Sequence, residues 1–233
     1  MNAPSTITAA SETACWSCGK AAGGAHFCSA CGKILPLPAR ADYFAFFGMP
    51  RKLQLDAEAL EQRFHQLSWK LHPDNFVRAS EFERNLSLER SSELNDAYRT
   101  LREPVARVEY LLGLAGLRKE GAAKQQAPPE LLEEVFDLNE SLDELRQASA
   151  AGAGAGLASL RDRLAAAQKN FQKKLDEVDA ELAVIFGAWD AALDAGAPDA
   201  ARRELLGRMN EILNRRSYIR NLVATVQNEL AEA

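Results

Sequence analysis

A chain of 233 residues, 47% hydrophobic and 26% charged, has the composition of a globular protein with room for one substantial core or two or three small ones. Its formal net charge of −5 at pH 7 argues against a dedicated nucleic-acid binder, which needs a clustered excess of Lys and Arg. No run approaches the ~20 consecutive apolar residues that span a bilayer, so an integral membrane protein is excluded as well. Aromatic residues are few, whereas Ala, Leu, Glu and Arg, which lose little rotamer freedom in a helix, are abundant, and this predicts an almost all-α fold.

Residues 1–14 are small and polar, too poor in apolar surface to fold, and are predicted to be disordered. They contain Glu12, no Lys or Arg and no long apolar run, so neither a secretory nor a mitochondrial address fits and a cytoplasmic protein is expected. All four cysteines follow within seventeen residues, as Cys15-x-x-Cys18 and Cys28-x-x-Cys31 separated by nine residues. Two such knuckles can each offer a thiolate pair to one tetrahedral ion, and Gly19 and Gly32 after each pair can take the positive φ that turns backbone amides toward the sulfurs. One structural Zn2+ held by Cys15, Cys18, Cys28 and Cys31 is the reading adopted, over two disulfides, a redox pair, or iron in an electron-transfer site. With four thiolates the shell is closed, so His26 is read as a surface residue or one backing the ligands. Pro36 and Pro38 end this first module, residues 15–38.

The second module is drawn over residues 42–117. Leu60, Phe64, Leu67 and Leu71 mark one face of a helix that Pro73 stops, because proline disfavours helical backbone in the residue before it. A second helix is predicted from Ser80 to about Arg102 on the repeat of Leu94, Ala97, Tyr98 and Leu101, with Pro104 ending it and a shorter helix over Val105–Leu114. At the hairpin's tip His72-Pro73-Asp74 displays an imidazole and a carboxylate on a turn that proline stiffens, after a helix carrying Arg63, His65 and Lys70. The plain alternative is a turn in which Asp74 only caps nearby amides. An acid–base enzyme has no second constellation, phosphate loop or pocket pattern to support it.

A polar stretch with Gly121, Gln125 and Gln126 separates the third module, residues 128–233, where Pro128-Pro129 can open a helix. Leu131, Val135, Leu138, Leu142 and Leu145 form its apolar stripe, and the glycine run from Ala150 to Gly156 should reverse the chain. A long helix with Phe171, Leu175, Val178, Leu182 and Ile185 is expected to fade around Gly187 to Gly196. From Pro198 a last helix carries Met209, Ile212, Ile219, Val223, Val226 and Leu230, which makes an antiparallel three-helix bundle. Leu132 and Phe136 lie beside the core stripe with Asp137 and Glu140 nearby; the group reads either as an exposed partner-binding patch or as a wide core face.

Helix, His72-Pro73-Asp74 and helix resemble a J domain. The run Asp42-Tyr43-Phe44-Ala45-Phe46-Phe47-Gly48-Met49-Pro50 resembles the Asp-Tyr-Phe-x-Leu-Phe-Gly-Leu-Pro opening of the HscB group, and Ala106-Arg107-Val108-Glu109-Tyr110-Leu111-Leu112 its Arg-Ala-Glu-Tyr-Leu-Leu signature. The cysteine module resembles the N-terminal extension of some members. The resemblance implies an all-α co-chaperone of iron–sulfur cluster assembly, not itself an enzyme. It would meet an HscA- or DnaK-type ATPase chaperone through His72, Pro73, Asp74, Arg63 and Lys70 and stimulate its ATP hydrolysis. It would hold an iron–sulfur cluster scaffold protein of the IscU type through Leu132, Phe136, Asp137, Glu140 and Tyr218. Asn75 stands where J domains often carry a basic residue, which implies a narrower choice of chaperone.

The rival reading is a zinc-ribbon regulator that binds nucleic acid, with a helical dimerisation region. Ten Lys and Arg against twelve Asp and Glu between Asp42 and Leu117 leave no basic stripe to support it. Independent modules are expected, so that chelation of the metal unfolds the first and leaves the hairpin intact.

Overall fold

The computed structural model describes residues 14–37, 41–118, 128–150 and 154–232. The start predicted to be disordered, Pro38, the linker residues Gly121, Gln125 and Gln126, and Ala151 to Ala153 of the predicted reversal lie outside the described residues, Ala14 excepted. The described residues form seven α-helices, and the only strand-like pairings among them are two isolated bridges. The all-α fold predicted from composition and periodicity is the one the chain adopts. Two compact units result, one running through Leu111 and taking in Ala192–Ala197, the other made of Leu112–Ala191 and Pro198–Ala233.

In the first unit the first three helices each start on a side-chain cap. Asp42 accepts from the Ala45 amide to open α1, Tyr43–Phe46, and Asp56 accepts from the Glu58 and Ala59 amides to open α2, Ala57–Leu71. Ser80 and Glu83 form a reciprocal capping box at the head of α3, Glu81–Arg102. The apolar faces of α2 and α3 close over one core in which Leu60, Leu71, Leu86, Leu94, Ala97 and Leu101 meet Phe44, Phe46 and Phe47 from α1 and the residue after it. Phe64 and Tyr98 stack across the hairpin with centroids 4.2 Å apart. The following helix α4, Pro104–Leu114, carries Arg107, whose buried guanidinium donates to the Leu101 carbonyl at 2.6 Å, to Arg102 at 3.3 Å, and to Leu53. It thereby fills carbonyls that the end of α3 leaves without helical partners.

The cysteine module is not a free appendage. Ile34 is fully buried within the hairpin's own core, and Phe27 and Leu37 pack against that core. The expectation of independent modules therefore meets a shared hydrophobic interior.

The second unit holds α5, Leu132–Ala150, α6, Gly154–Asp194, as far as Ala191, and α7, Asp199–Glu232. Ion pairs give their directions. Glu144 meets Arg163 and Glu134 meets Lys174, so residue numbers rise on α6 as they fall on α5, and the two helices are antiparallel. Arg146 meets Glu229 and Glu130, just before α5, meets Arg215, so α5 and α7 run parallel. Leu138, Leu142 and Leu145, Leu164, Phe171, Leu175, Val178 and Leu182, and Met209, Ile212, Leu213, Ile219 and Val226 are buried along the three helices. The helix expected to fade between Gly187 and Gly196 does so at the far end of that range: α6 runs through Gly187 to Asp194, and Gly196 follows with φ of 64°. An interior glycine costs a helix about 1 kcal/mol relative to alanine, and the buried side chains of Ile185, Phe186 and Trp189 around it outweigh that.

Candidate functional site

The hairpin tip is built by a series of repairs around one proline. Pro73 has no N–H, so the carbonyl of Trp69, four residues earlier, loses its helical donor. The Asn75 side-chain amide takes its place, donating to that carbonyl at 2.6 Å. Leu71 would next accept from Asn75 N–H, but that group turns back to the His72 carbonyl at 3.0 Å. The hydroxyls of Ser87 and Ser91 on α3 donate to Leu71 instead, at 2.6 and 3.0 Å. Asn75 is thus a clamp on α2, and the N–H missing from Pro73, two residues before it, explains why an amide is placed there.

A single 3-10 turn, Pro73–Phe76, is fixed in this way, and the side chains of His72, which caps it, and of Asp74 remain outside the clamp. His72 Nδ1 accepts from the Asp74 amide at 3.3 Å and lies 3.6 Å from the Asp74 carboxylate, while both side chains stay largely exposed. With Nδ1 accepting, the neutral ring carries its proton on Nε2, where it can donate to a partner. Lys70 is exposed next to the turn. Arg63 is more committed than the sequence suggests, since its Nη1 donates to the carbonyls of Phe47 and Gly48 at 2.8 and 3.2 Å. Trp69, which sequence reasoning passed over, is 79% exposed beside Lys70; no periodicity marks it, because it falls outside the apolar stripe of α2.

The two cysteine knuckles repeat one design. Cys15 N–H donates to Lys20 and Gly19 N–H to Cys15 at 2.7 and 2.9 Å; Cys28 N–H donates to Lys33 and Gly32 N–H to Cys28, both at 2.8 Å. Gly19 and Gly32 have φ of 70° and 71°, the left-handed backbone predicted for them. The four sulfurs lie within 4.8 Å of one another, with Cys15 to Cys31 at 3.7 Å and Cys18 to Cys28 at 3.8 Å. A tetrahedron with metal–sulfur bonds of about 2.3 Å has edges of about 3.8 Å, so the donor set fits one tetrahedral metal ion. Electrostatics agrees. The Cys15 thiol is lowered to about 7 by the Cys18 and Ser17 amides, whereas Cys31 is raised to about 12 because, against the Lys33 amide, lost solvent and three neighbouring sulfurs disfavour a further negative charge. A dication removes that repulsion and lets all four ionise.

His26 does not back these ligands from the surface. It turns to the hairpin, donating from Nε2 to the Phe46 carbonyl at 2.8 Å and accepting at Nδ1 from Arg90. Burial, then the Arg90 charge, lower its pKa to about 4, so the ring is neutral. Arg90 is only 1% exposed, donates also to the Ala25 carbonyl at 3.1 Å, and covers the Phe46 ring at 5.2 Å. This junction was not legible in the sequence, because its members are separated by twenty and sixty-four positions.

On the bundle, Leu132 and Phe136 are 54% and 72% exposed, one turn apart on α5, and Asp137 and Glu140 are exposed beside them. These two apolar side chains are not part of a wide core face. Tyr218 on α7 is half-buried. The parallel register set by the Glu130–Arg215 and Arg146–Glu229 pairs puts it level with the first turns of α5.

No family model matches the chain. It is 35% identical over 141 residues to the co-chaperone protein HscB homolog of Vibrio vulnificus, covering 60% of this chain and 80% of the relative. Against the iron–sulfur cluster co-chaperone protein HscB of Mus musculus it is 34% identical over 140 residues, 58% of this chain and 60% of the relative. The crystal structure of the human co-chaperone protein HscB superimposes with a TM-score of 0.62 at 25% identity, covering 93% of this chain and 98% of the human one. With a J-type hairpin, a three-helix bundle, a four-cysteine metal site and relatives covered over most of their length, this chain belongs to the HscB family of iron–sulfur cluster co-chaperones.

Proposed function

We propose that this protein is a cytoplasmic adaptor that binds an iron–sulfur cluster scaffold protein, delivers it to an HscA- or DnaK-type chaperone and stimulates that chaperone's ATP hydrolysis. The observation that carries the reading is the turn His72-Pro73-Asp74: its backbone is satisfied by Asn75, Ser87 and Ser91, leaving an imidazole donor and a carboxylate exposed on a rigid tip. A preorganised contact of this kind costs little ordering entropy on binding and suits a transient encounter. Lys70, and the part of Arg63 not engaged with Phe47 and Gly48, supply positive charge toward an acidic chaperone surface, which sets orientation and on-rate more than affinity. On α5, Leu132 and Phe136 supply apolar anchors for the scaffold, with Asp137 and Glu140 as a polar rim and Tyr218 as a contact from α7.

Cys15, Cys18, Cys28 and Cys31 hold one structural Zn2+. A closed shell of four thiolates leaves no open position for a substrate, and the ion's contribution is to fold the knuckles. The decisive measurement is steady-state ATP hydrolysis by an HscA- or DnaK-type chaperone with the scaffold present. The wild type raises the rate and His72→Gln does not. A wild-type protein without effect on either chaperone would overturn the reading.

A further inference from the structure

We propose that metal in the cysteine knuckles braces the J hairpin, so that loss of the ion loosens the very element that displays His72-Pro73-Asp74. The inference rests on the reading of that turn as the chaperone contact only for its functional meaning; the mechanical coupling stands on contacts between the two modules.

The second knuckle leads directly into the hairpin. Ligation by Cys28 and Cys31 fixes the loop that Cys28 and Lys33 close through their backbones. Lys33, the last residue of that loop, sets its ammonium on the Glu83 carboxylate at 2.8 Å. Glu83 is buried, and the same carboxylate accepts from the Ser80 hydroxyl at 3.0 Å and completes the capping box of α3. The next residue, Ile34, is inserted among Phe44, Phe46, Leu60 and Leu86. Before the knuckle, Ala25 and His26 provide acceptors for the buried Arg90. The first knuckle adds Trp16, whose ring meets Phe82 of α3 edge-on at 4.7 Å and whose Nε1 donates to the Ile34 carbonyl at 2.8 Å.

The module cannot keep this geometry unaided. Its own buried cluster consists of Cys15, Ala22, Cys28 and Leu35, and two of those four are ligands. Without the ion the knuckles have too little apolar core to hold a shape. The hairpin would then keep Arg90 buried with its acceptors gone, Glu83 without its cation, and a void where Ile34 packed. The first two penalties fall on α3, whose Ser87 and Ser91 hold the end of α2 at the turn, and the third on the core that α1, α2 and α3 share. Binding energy at the metal is in this way part of the stability of the chaperone-facing turn.

The test is hydrogen exchange followed by mass spectrometry on the full chain, zinc-loaded and after treatment with a strong zinc chelator, with zinc content measured alongside. Peptides from α1, α2 and the first turns of α3 are expected to exchange about tenfold faster without zinc, while peptides from α5, α6 and α7 serve as the internal reference. A Cys18→Ser, Cys31→Ser double variant should reproduce the effect without chelator. Lys33→Met, which keeps all four cysteines, should retain one zinc per chain yet speed exchange at the head of α3. Unchanged hairpin protection after zinc removal, a chain that takes up no zinc, or a Lys33→Met variant indistinguishable from wild type would each overturn the proposal. No chaperone enters the experiment, so a failure of the co-chaperone reading would show in the ATPase assay and leave this result standing.

Discussion

Arg146 and Glu229 show how a single side-chain pair ties a pH dependence to the bundle. Arg146 Nε on α5 donates to the Glu229 carboxylate on α7 at 3.1 Å, and that hydrogen bond, with the guanidinium charge, holds the Glu229 pKa below its ordinary 4.5. A carboxyl whose pKa is lower in the folded state stabilises the fold above its unfolded value, and the contribution is lost as pH falls through the folded value. Glu229→Gln should therefore lower the urea midpoint of helical unfolding at pH 7. The difference from wild type should shrink as pH falls below 4.5 and then close. A gap independent of pH would mean that the pair does not form in solution. At this scale legibility varied with sequence distance. The cysteines declared themselves because ligand spacing is a local pattern, whereas His26 pairs with Phe46 and Arg90 through the tertiary fold, and nothing beside it in the sequence distinguishes it from a second-rank metal ligand.

The elements were the more predictable layer because prolines and caps are local signals. Pro73 and Pro104 stop α2 and α3 where expected, and Ser80 three residues before Glu83 marks the head of α3. The end of the long α6 was legible only to within Gly187 to Gly196 and falls at Asp194, since a glycine is visible in the sequence and the burial that carries the helix past Gly187 is not. Ser80 offers a test of how much the α3 head matters. Its hydroxyl accepts from the Glu83 amide at 3.3 Å and donates to the Glu83 carboxylate at 3.0 Å. Ser80→Ala removes a helix cap, a change that typically costs about 1 kcal/mol, and also frees the carboxylate on which Lys33 rests. Chemical denaturation of zinc-loaded protein should show that loss, and Ser80→Thr should recover most of it, because threonine keeps the hydroxyl. Equal stability of Ser80→Ala and wild type would mean that the box carries no weight.

At the scale of the whole molecule, the proposed chaperone turn belongs to the first compact unit and the exposed α5 patch to the second. The helices of both units were legible as apolar periodicity, while the exposure that separates the patch from the core stripe came only with the packed helices: Val135 is half-buried and its neighbour Phe136 is 72% exposed. Exposed aromatic side chains can be removed with little effect on folding, yet they often carry much of a binding contact. The adaptor reading therefore separates into two losses. Phe136→Ala, alone or with Leu132→Ala, should weaken scaffold binding by more than about tenfold while leaving thermal unfolding and scaffold-free ATPase stimulation intact. His72→Gln should do the reverse, holding the scaffold with wild-type affinity, measured by isothermal titration calorimetry, while failing to stimulate the chaperone. If either variant lost both activities with its fold preserved, the two surfaces would not be separate sites, and the division of labour between the units would have to be abandoned.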